Sequence, residues 1–101
     1  MELLKFEAMA SGERALRLTA QVSWDGFPEY AAGVVAQLGG VIVGRADAGD
    51  ERVWTFDRNG SQYGMSFEDY SGEASIEPRD ARSGSSMEEV RARLAAPPKS
   101  A

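Results

Sequence analysis

The dipeptide Asn59-Gly60 constrains the fold more than any other local feature of the 101-residue chain. A two-residue type I′ turn needs positive φ at both central positions, and Asn-Gly satisfies that requirement. Residues 52–58 before the dipeptide and residues 61–70 after it both alternate between apolar and polar side chains. The pattern predicts an antiparallel hairpin with one buried face.

Four other segments predict strands, from the same alternation or from a run of β-branched residues. They are residues 3–8, 15–23, 41–46 and 73–77. Trp54 lies within the strand predicted before the Asn-Gly turn, and either face of that strand is possible for it. We expect Trp54 to face the core, because tryptophan contributes a large apolar area when buried.

The apolar period changes to that of a helix between Phe27 and Leu38. Asp25 is the predicted N-cap, and Gly39-Gly40 supplies a stop. Gly33 lies inside this helix, where glycine costs about 1 kcal/mol relative to alanine. We expect Gly33 to allow close packing of the helix on the sheet.

A second helix is predicted to begin at Ser85-Ser86, where Ser86 and Glu89 fit a capping box. The segment from Arg79 to Gly84 before it reads as a polar loop. The predicted order is therefore ββ-α-ββββ-α. It indicates an α+β fold with a mostly antiparallel sheet of about six strands and two helices on one face.

The length of the chain bounds the number of domains. We expect a single α+β domain over residues 1–96, because 101 residues suffice for one core and not for two. Residues 97–101, which include two prolines, are expected to form a flexible C-terminal tail.

The sequence contains no histidine and no cysteine. Histidine is the residue that changes charge near neutral pH, and cysteine supplies the best nucleophile and the soft metal ligands. Catalytic triads with histidine, zinc sites with these ligands, disulfides and iron–sulfur clusters are therefore excluded. We expect no catalytic residue, no cofactor and no metal.

The formal net charge is −5, which bears on the choice of partner. An acidic protein repels phosphate backbones and anionic lipid, so nucleic acid and membrane surfaces are disfavoured. A basic protein, a cation or no partner at all fits the sign better. The first residues lack the pattern of a signal peptide, and a cytoplasmic location is expected.

The densest group of polar residues surrounds the predicted turn after residue 68. Glu68, Asp69, Tyr70 and Glu73 are predicted to contact a partner, because they combine carboxylates with an aromatic side chain. A divalent-cation site is the alternative for these carboxylates. It is disfavoured because the spacing does not match a calcium-binding loop and because strand alternation separates Glu68 from Asp69.

Three functions remain open. The favoured one is a non-catalytic protein-binding module, of the kind of an immunity-type or antitoxin-like inhibitor of a basic protein. The alternative is a small-ligand-binding or regulatory domain with a pocket between the first helix and the sheet, lined by Tyr30, Met65 and Phe67. An enzyme that uses carboxylates alone, such as Glu68 with Glu73, is the least favoured. Homodimerisation is compatible with all three.

Two motifs carry a resemblance to a known family. They are Trp24-Asp25-Gly26-Phe27-Pro28-Glu29-Tyr30 and Phe67-Glu68-Asp69-Tyr70-Ser71. Over residues 20–77 the chain resembles a family of short uncharacterised proteobacterial proteins. In that family a W-x-x-F-P-x-Y helix entry precedes a strand that ends in an E-D-Y-S turn. The chain has Ala74-Ser75-Ile76 where the family pattern suggests a bulky aromatic residue. The resemblance implies a small cytoplasmic α+β protein and assigns no functional residues.

Overall fold

One antiparallel sheet forms the framework of the protein. The computed structural model describes residues 4–9, 12–19 and 21–96, so the predicted tail lies outside the described residues. The strands are β1 Lys5–Ala8, β2 Arg14–Thr19, β3 Val41–Ala48, β4 Glu51–Arg58, β5 Ser61–Glu68 and β6 Glu73–Pro78. The helices are α1 Phe27–Gln37, α2 Ala81–Ser85 and α3 Met87–Ala95.

The spatial order of the strands is β1-β2-β6-β5-β4-β3, and every neighbouring pair is antiparallel. The four strands from β3 to β6 form a continuous meander, and the β1–β2 hairpin joins it alongside β6. The prediction of six strands in a mostly antiparallel sheet is confirmed. β3 forms one edge and carries a bulge between Ile42 and Gly44, a device that disrupts pairing at exposed edges.

The Asn59-Gly60 turn has the backbone that the sequence predicts, with φ of 52° at Asn59 and 79° at Gly60. It fixes the register of β4 against β5, so that Trp54 lies opposite Met65. Trp54 is 5% exposed, which confirms that it belongs to the core. Its ring meets Phe27 of α1 edge-to-face at 5.1 Å between centroids.

Side chains from one face of the sheet and from two helices share a single core. The sheet contributes Leu16, Leu18, Trp54, Phe56, Tyr63, Met65, Phe67 and Ile76, and the helices contribute Phe27, Ala31, Val34, Val35, Met87 and Val90. Burying this apolar area is the main stabilising contribution, at about 25 cal/mol per Å². The opposite face of the sheet is described below as the outer face.

The start of α1 differs from the prediction. Gly26 is the N-cap residue, and the Ser23 hydroxyl accepts a hydrogen bond from the Gly26 amide at 3.0 Å. Asp25 is not the cap. Gly33 is exposed, and a Cβ built on it meets nothing within 4 Å, so the expectation of close packing at Gly33 is wrong. The close approach occurs instead at Gly40, where a Cβ would lie 2.8 Å from the Asp57 carbonyl oxygen.

The predicted second helix is preceded by a short helix that the sequence reading missed, which makes three helices rather than two. The Asp80 carboxylate accepts from the Ser83 amide at 2.7 Å, and the Ser83 hydroxyl accepts from the Asp80 amide at 3.0 Å. These reciprocal bonds form a capping box for α2. Ser86 is the N-cap of α3 but makes no side-chain cap bond, so the capping box predicted for Ser86 and Glu89 is wrong.

Candidate functional site

A groove of about 570 Å³ runs over the outer face of the sheet. Its walls and floor come from strands β1, β2, β4, β5 and β6 and from adjoining loop residues, and no described residue of a helix lines it. The middle of the floor is a row of paired residues across four strands: Val53, Ser66, Ser75 and Arg17. Three of these side chains are small, and the sheet is therefore open to contact there.

Gly64 and Arg79 define one end of the groove. A Cβ on Gly64 would lie 2.5 Å from the Nε and Nη2 atoms of Arg79, so the absence of a side chain lets the guanidinium rest directly on β5. Arg79 has no ion-pair partner among the residues that the structure describes. Glu77 pairs with Gly64 across the strands and also lines the groove, so this end holds one cation and one carboxylate.

Three glutamates lie in register at the other end. Glu51 of β4 pairs with Glu68 of β5, and Glu68 pairs with Glu73 of β6. Adjacent strands are about 4.8 Å apart, so the three side chains form a row across the sheet. Like charges directly opposite one another destabilise a sheet, and this row therefore has a cost for folding.

Arg17 offsets part of that charge. Its guanidinium forms an ion pair with Glu73 and a second one with Glu7, where Nε and Oε2 are 3.4 Å apart. Nearby, the Ser66 hydroxyl donates to the Glu77 carboxylate at 3.2 Å. Within the described part of the chain, Glu51 and Glu68 have no ion-pair partner.

The β5–β6 turn continues the row of carboxylates. Asp69 and Tyr70 follow Glu68 in this turn, and the Asp69 amide donates to the Asp50 carbonyl at 2.8 Å, which joins it to the β3–β4 turn. Tyr70 is 91% exposed. The structure therefore brings the four predicted contact residues to one end of the molecule, with Glu68 and Glu73 paired across strands and Asp69 and Tyr70 beside them.

The described residues include no group of three or more acidic side chains arranged to hold a metal ion. A carboxylate acid–base pair needs one desolvated carboxyl group. Glu68 is exposed, and Glu73 is paired with Arg17. The arrangement is chemically suited to attracting cationic groups.

The alternative prediction placed a ligand pocket between α1 and the sheet. In the structure, core side chains fill that space. Met65 and Phe67 are each 1% exposed, and Phe27 stacks on Phe67 at 5.2 Å between ring centroids. Sequence reasoning missed the opposite groove and its residues Gly64, Ser66, Ser75 and Arg79. The signal for three of them was a small side chain at an outward position of β5 or β6, namely Gly64, Ser66 and Ser75.

Fold and surface together define a class: a small α+β domain with a six-stranded antiparallel sheet, three helices and a row of glutamates on the outer face of the sheet. The chain belongs to a family described as a protein of unknown function (DUF3630), whose model matches residues 4–96. Comparisons with curated proteins and with solved structures found no match. In the described residues, no helix has the length and apolar character required to cross a bilayer.

Proposed function

We propose that this protein is a non-catalytic binding module for a basic protein, acting in the bacterial cytoplasm as an immunity-type or antitoxin-like inhibitor. One observation supports this most directly: Glu51 and Glu68 are adjacent carboxylates with no ion-pair partner among the described residues, and the exposed Tyr70 follows Glu68 in the next turn. A folded protein gains nothing from such a row by itself, because its like charges repel.

Tyr70 gives this acidic end a suitable anchor. Tyrosine is enriched among the residues that dominate interface energetics, since it buries a large rigid ring and retains a polar hydroxyl. The surrounding carboxylates would steer a basic protein during encounter and increase the association rate at low salt. Affinity in this scheme falls as ionic strength rises, because exposed charges are screened beyond about 10 Å at 0.1 M salt.

The proposal is tested by capture from a lysate of the source organism at low and moderate salt. The tagged protein should retain a basic protein in stoichiometric amount, and that protein should elute as salt increases. Binding of the purified partner is then measured by calorimetry. If no basic protein is retained at low salt, the proposed function is wrong.

Charge-matched variants locate the contact. Glu68→Lys combined with Asp69→Lys should lower the affinity for the captured partner by about a hundredfold, because both changes place a positive charge opposite a basic partner. Tyr70→Ala should weaken it by about tenfold or more. Asp25→Lys with Glu29→Lys makes the same change in net charge at the entry to α1 and should leave binding within about twofold. Equal losses in both double variants would indicate a general effect of net charge and would contradict the site.

A further inference from the structure

We infer that the partner contributes a basic amphipathic helix, which lies across the strands on the outer face along the row of Glu51, Glu68 and Glu73. This rests on the proposed function and names the form in which the basic partner is recognised. The helix would add a third layer over the open side of the sheet, opposite the layer formed by α1 and α3.

The spacing of the carboxylates favours a helix over an extended segment. Neighbouring glutamates of the row are separated by the distance between strands, about 4.8 Å. A helix presents one residue per turn at about 5.4 Å, so lysines or arginines at i, i+4 and i+7 match the row. Side chains on one face of an extended strand repeat at about 6.7 Å. An extended segment would therefore no longer match the spacing of the glutamates beyond its second side chain.

The floor beside the row accommodates the body of a helix. Val53, Ser66 and Ser75 occupy the next row of the sheet, are half-buried and carry short side chains. Short side chains let a helix axis approach the sheet, while apolar groups of the helix cover Val53. The groove above them has a volume of about 570 Å³.

Charge fixes the position of the helix along the groove. At the opposite end the Arg79 guanidinium over Gly64 lies beside Glu77, the cross-strand partner of Gly64, so that end has no excess of carboxylates. The acidic row attracts basic side chains, since Arg17 engages Glu73 and leaves Glu51 and Glu68 without a cation among the described residues. The binding segment therefore lies toward the β5–β6 turn, within reach of Tyr70.

The test uses two synthetic helical peptides of about 20 residues. Both are alanine-based and contain the same number of lysines. One places the lysines on a single face at i, i+4 and i+7, and the other distributes them around the helix. Titration into the ¹⁵N-labelled protein at low salt, followed by NMR, gives the affinity and the residues whose amides shift.

The single-face peptide should bind about tenfold more tightly and shift the amides of Ser66, Ser75 and Glu68. Equal affinity of the two peptides, absence of binding, or shifts confined to Asp69 and Tyr70 would overturn the inference. Concentration-dependent shifts at Ser66 and Ser75 without peptide would identify a second copy of this chain as the occupant and would also overturn it.

Two variants on the outer face sharpen the test. Ser75→Tyr fills the floor without changing charge and should reduce single-face peptide binding by about tenfold, whereas Ala32→Tyr on the exposed side of α1 should not change it. Arg79→Gln should strengthen binding by a few fold, because it removes a cation from the groove. Circular dichroism and thermal unfolding verify that each variant is folded.

The same variants separate failure of the inference from failure of the proposed function. If a captured basic protein binds Ser75→Tyr as tightly as it binds the parent, the proposed function stands and the helix on the outer face is wrong. If capture yields no basic protein, the proposed function fails, whatever the peptides show.

Discussion

The Arg58 guanidinium joins three elements through two hydrogen bonds: it donates to the Leu38 carbonyl at 3.1 Å and to the Glu89 carboxylate at 2.5 Å. Its side chain is 2% exposed, whereas that of Glu89 is 59% exposed. Burial lowers the pKa of Arg58, but the hydrogen bond and charge of Glu89, with the Tyr63 hydroxyl, outweigh it and leave that pKa raised. A cation on strand β4 thus satisfies a carbonyl at the C-terminus of α1 and anchors α3.

Because the two partners differ in burial, their removal has unequal effects. Arg58→Met leaves an exposed carboxylate and removes the side-chain donor to the buried Leu38 carbonyl, which costs about 1–3 kcal/mol. Glu89→Ala leaves a buried guanidinium without its counter-charge and should destabilise the protein more. Urea unfolding at pH 7 measures both free energies. Glu88→Ala, which breaks a surface pair with Arg14, should change stability little. A larger loss in Arg58→Met than in Glu89→Ala would contradict this account.

Acid should weaken the fold through Asp80 and Glu89. Hydrogen bonds from the Ser83 and Gln62 amides lower the pKa of Asp80, and the hydrogen bond and charge of Arg58 lower the pKa of Glu89. A carboxyl group with a lowered pKa in the folded state contributes stability above its unfolded pKa, which is about 4. That contribution is lost as pH falls through the lowered value.

The pH dependence is checked with Asp80→Asn, since asparagine keeps an oxygen that can cap α2. The variant should be less stable than the parent at pH 7, and the difference should shrink as pH falls below about 4. Asp25→Asn is the control, because it makes the same chemical change at an exposed position before α1. A difference that stays constant between pH 7 and pH 3 would show that charge at Asp80 is not responsible.

The local sequence pattern predicts where the strands lie along the chain, but it does not predict which strands pair in the sheet. The Asn59-Gly60 turn and the alternation on both sides of it predict β4 and β5, because both signals depend on neighbouring residues. The pairing of β2 with β6 joins segments about 60 residues apart, and nothing in either segment specifies its partner. The contact of Arg79 with Gly64 likewise depends on the folded sheet, and the neighbours of neither residue in the sequence specify it.

Helix α2 shows the corresponding limit for helices. Its sequence, Ala81-Arg82-Ser83-Gly84-Ser85, has no apolar period and contains a glycine, so it reads as a loop. The helix forms because Asp80 and Ser83 satisfy each other's backbone amides. At the acidic end of the sheet, composition singles out Glu68, Asp69, Tyr70 and Glu73, whereas only the register shows that Glu51 extends the row of carboxylates.

Two glycines should respond in opposite ways to alanine. Gly33 is exposed within α1 and has free space around it, so Gly33→Ala should stabilise the protein by about 0.5–1 kcal/mol. Gly40→Ala places a Cβ against the Asp57 backbone carbonyl and should destabilise it by about 2 kcal/mol or more. Thermal unfolding of the two variants measures the difference. If Gly33→Ala is destabilising, the exposed face of α1 is covered in solution.

The row of glutamates predicts opposite effects of one substitution on stability and on binding. Glu68 lies between Glu51 and Glu73, so Glu68→Gln removes two repulsions while keeping the shape of the side chain. It should raise the free energy of unfolding by about 0.2–1 kcal/mol at low salt. The gain should nearly vanish at 1 M salt, where the screening length is about 3 Å.

Glu29→Gln is the matched control, because it removes one negative charge in the first turn of α1. There the charge favours the helix, so the variant should be slightly destabilised. The same Glu68→Gln protein should bind the basic partner more weakly than the parent does. A gain in stability together with a loss of affinity identifies the row as a binding feature kept at a cost to folding. A loss of stability in Glu68→Gln would show instead that the carboxylate supports the fold and would remove this argument for a partner.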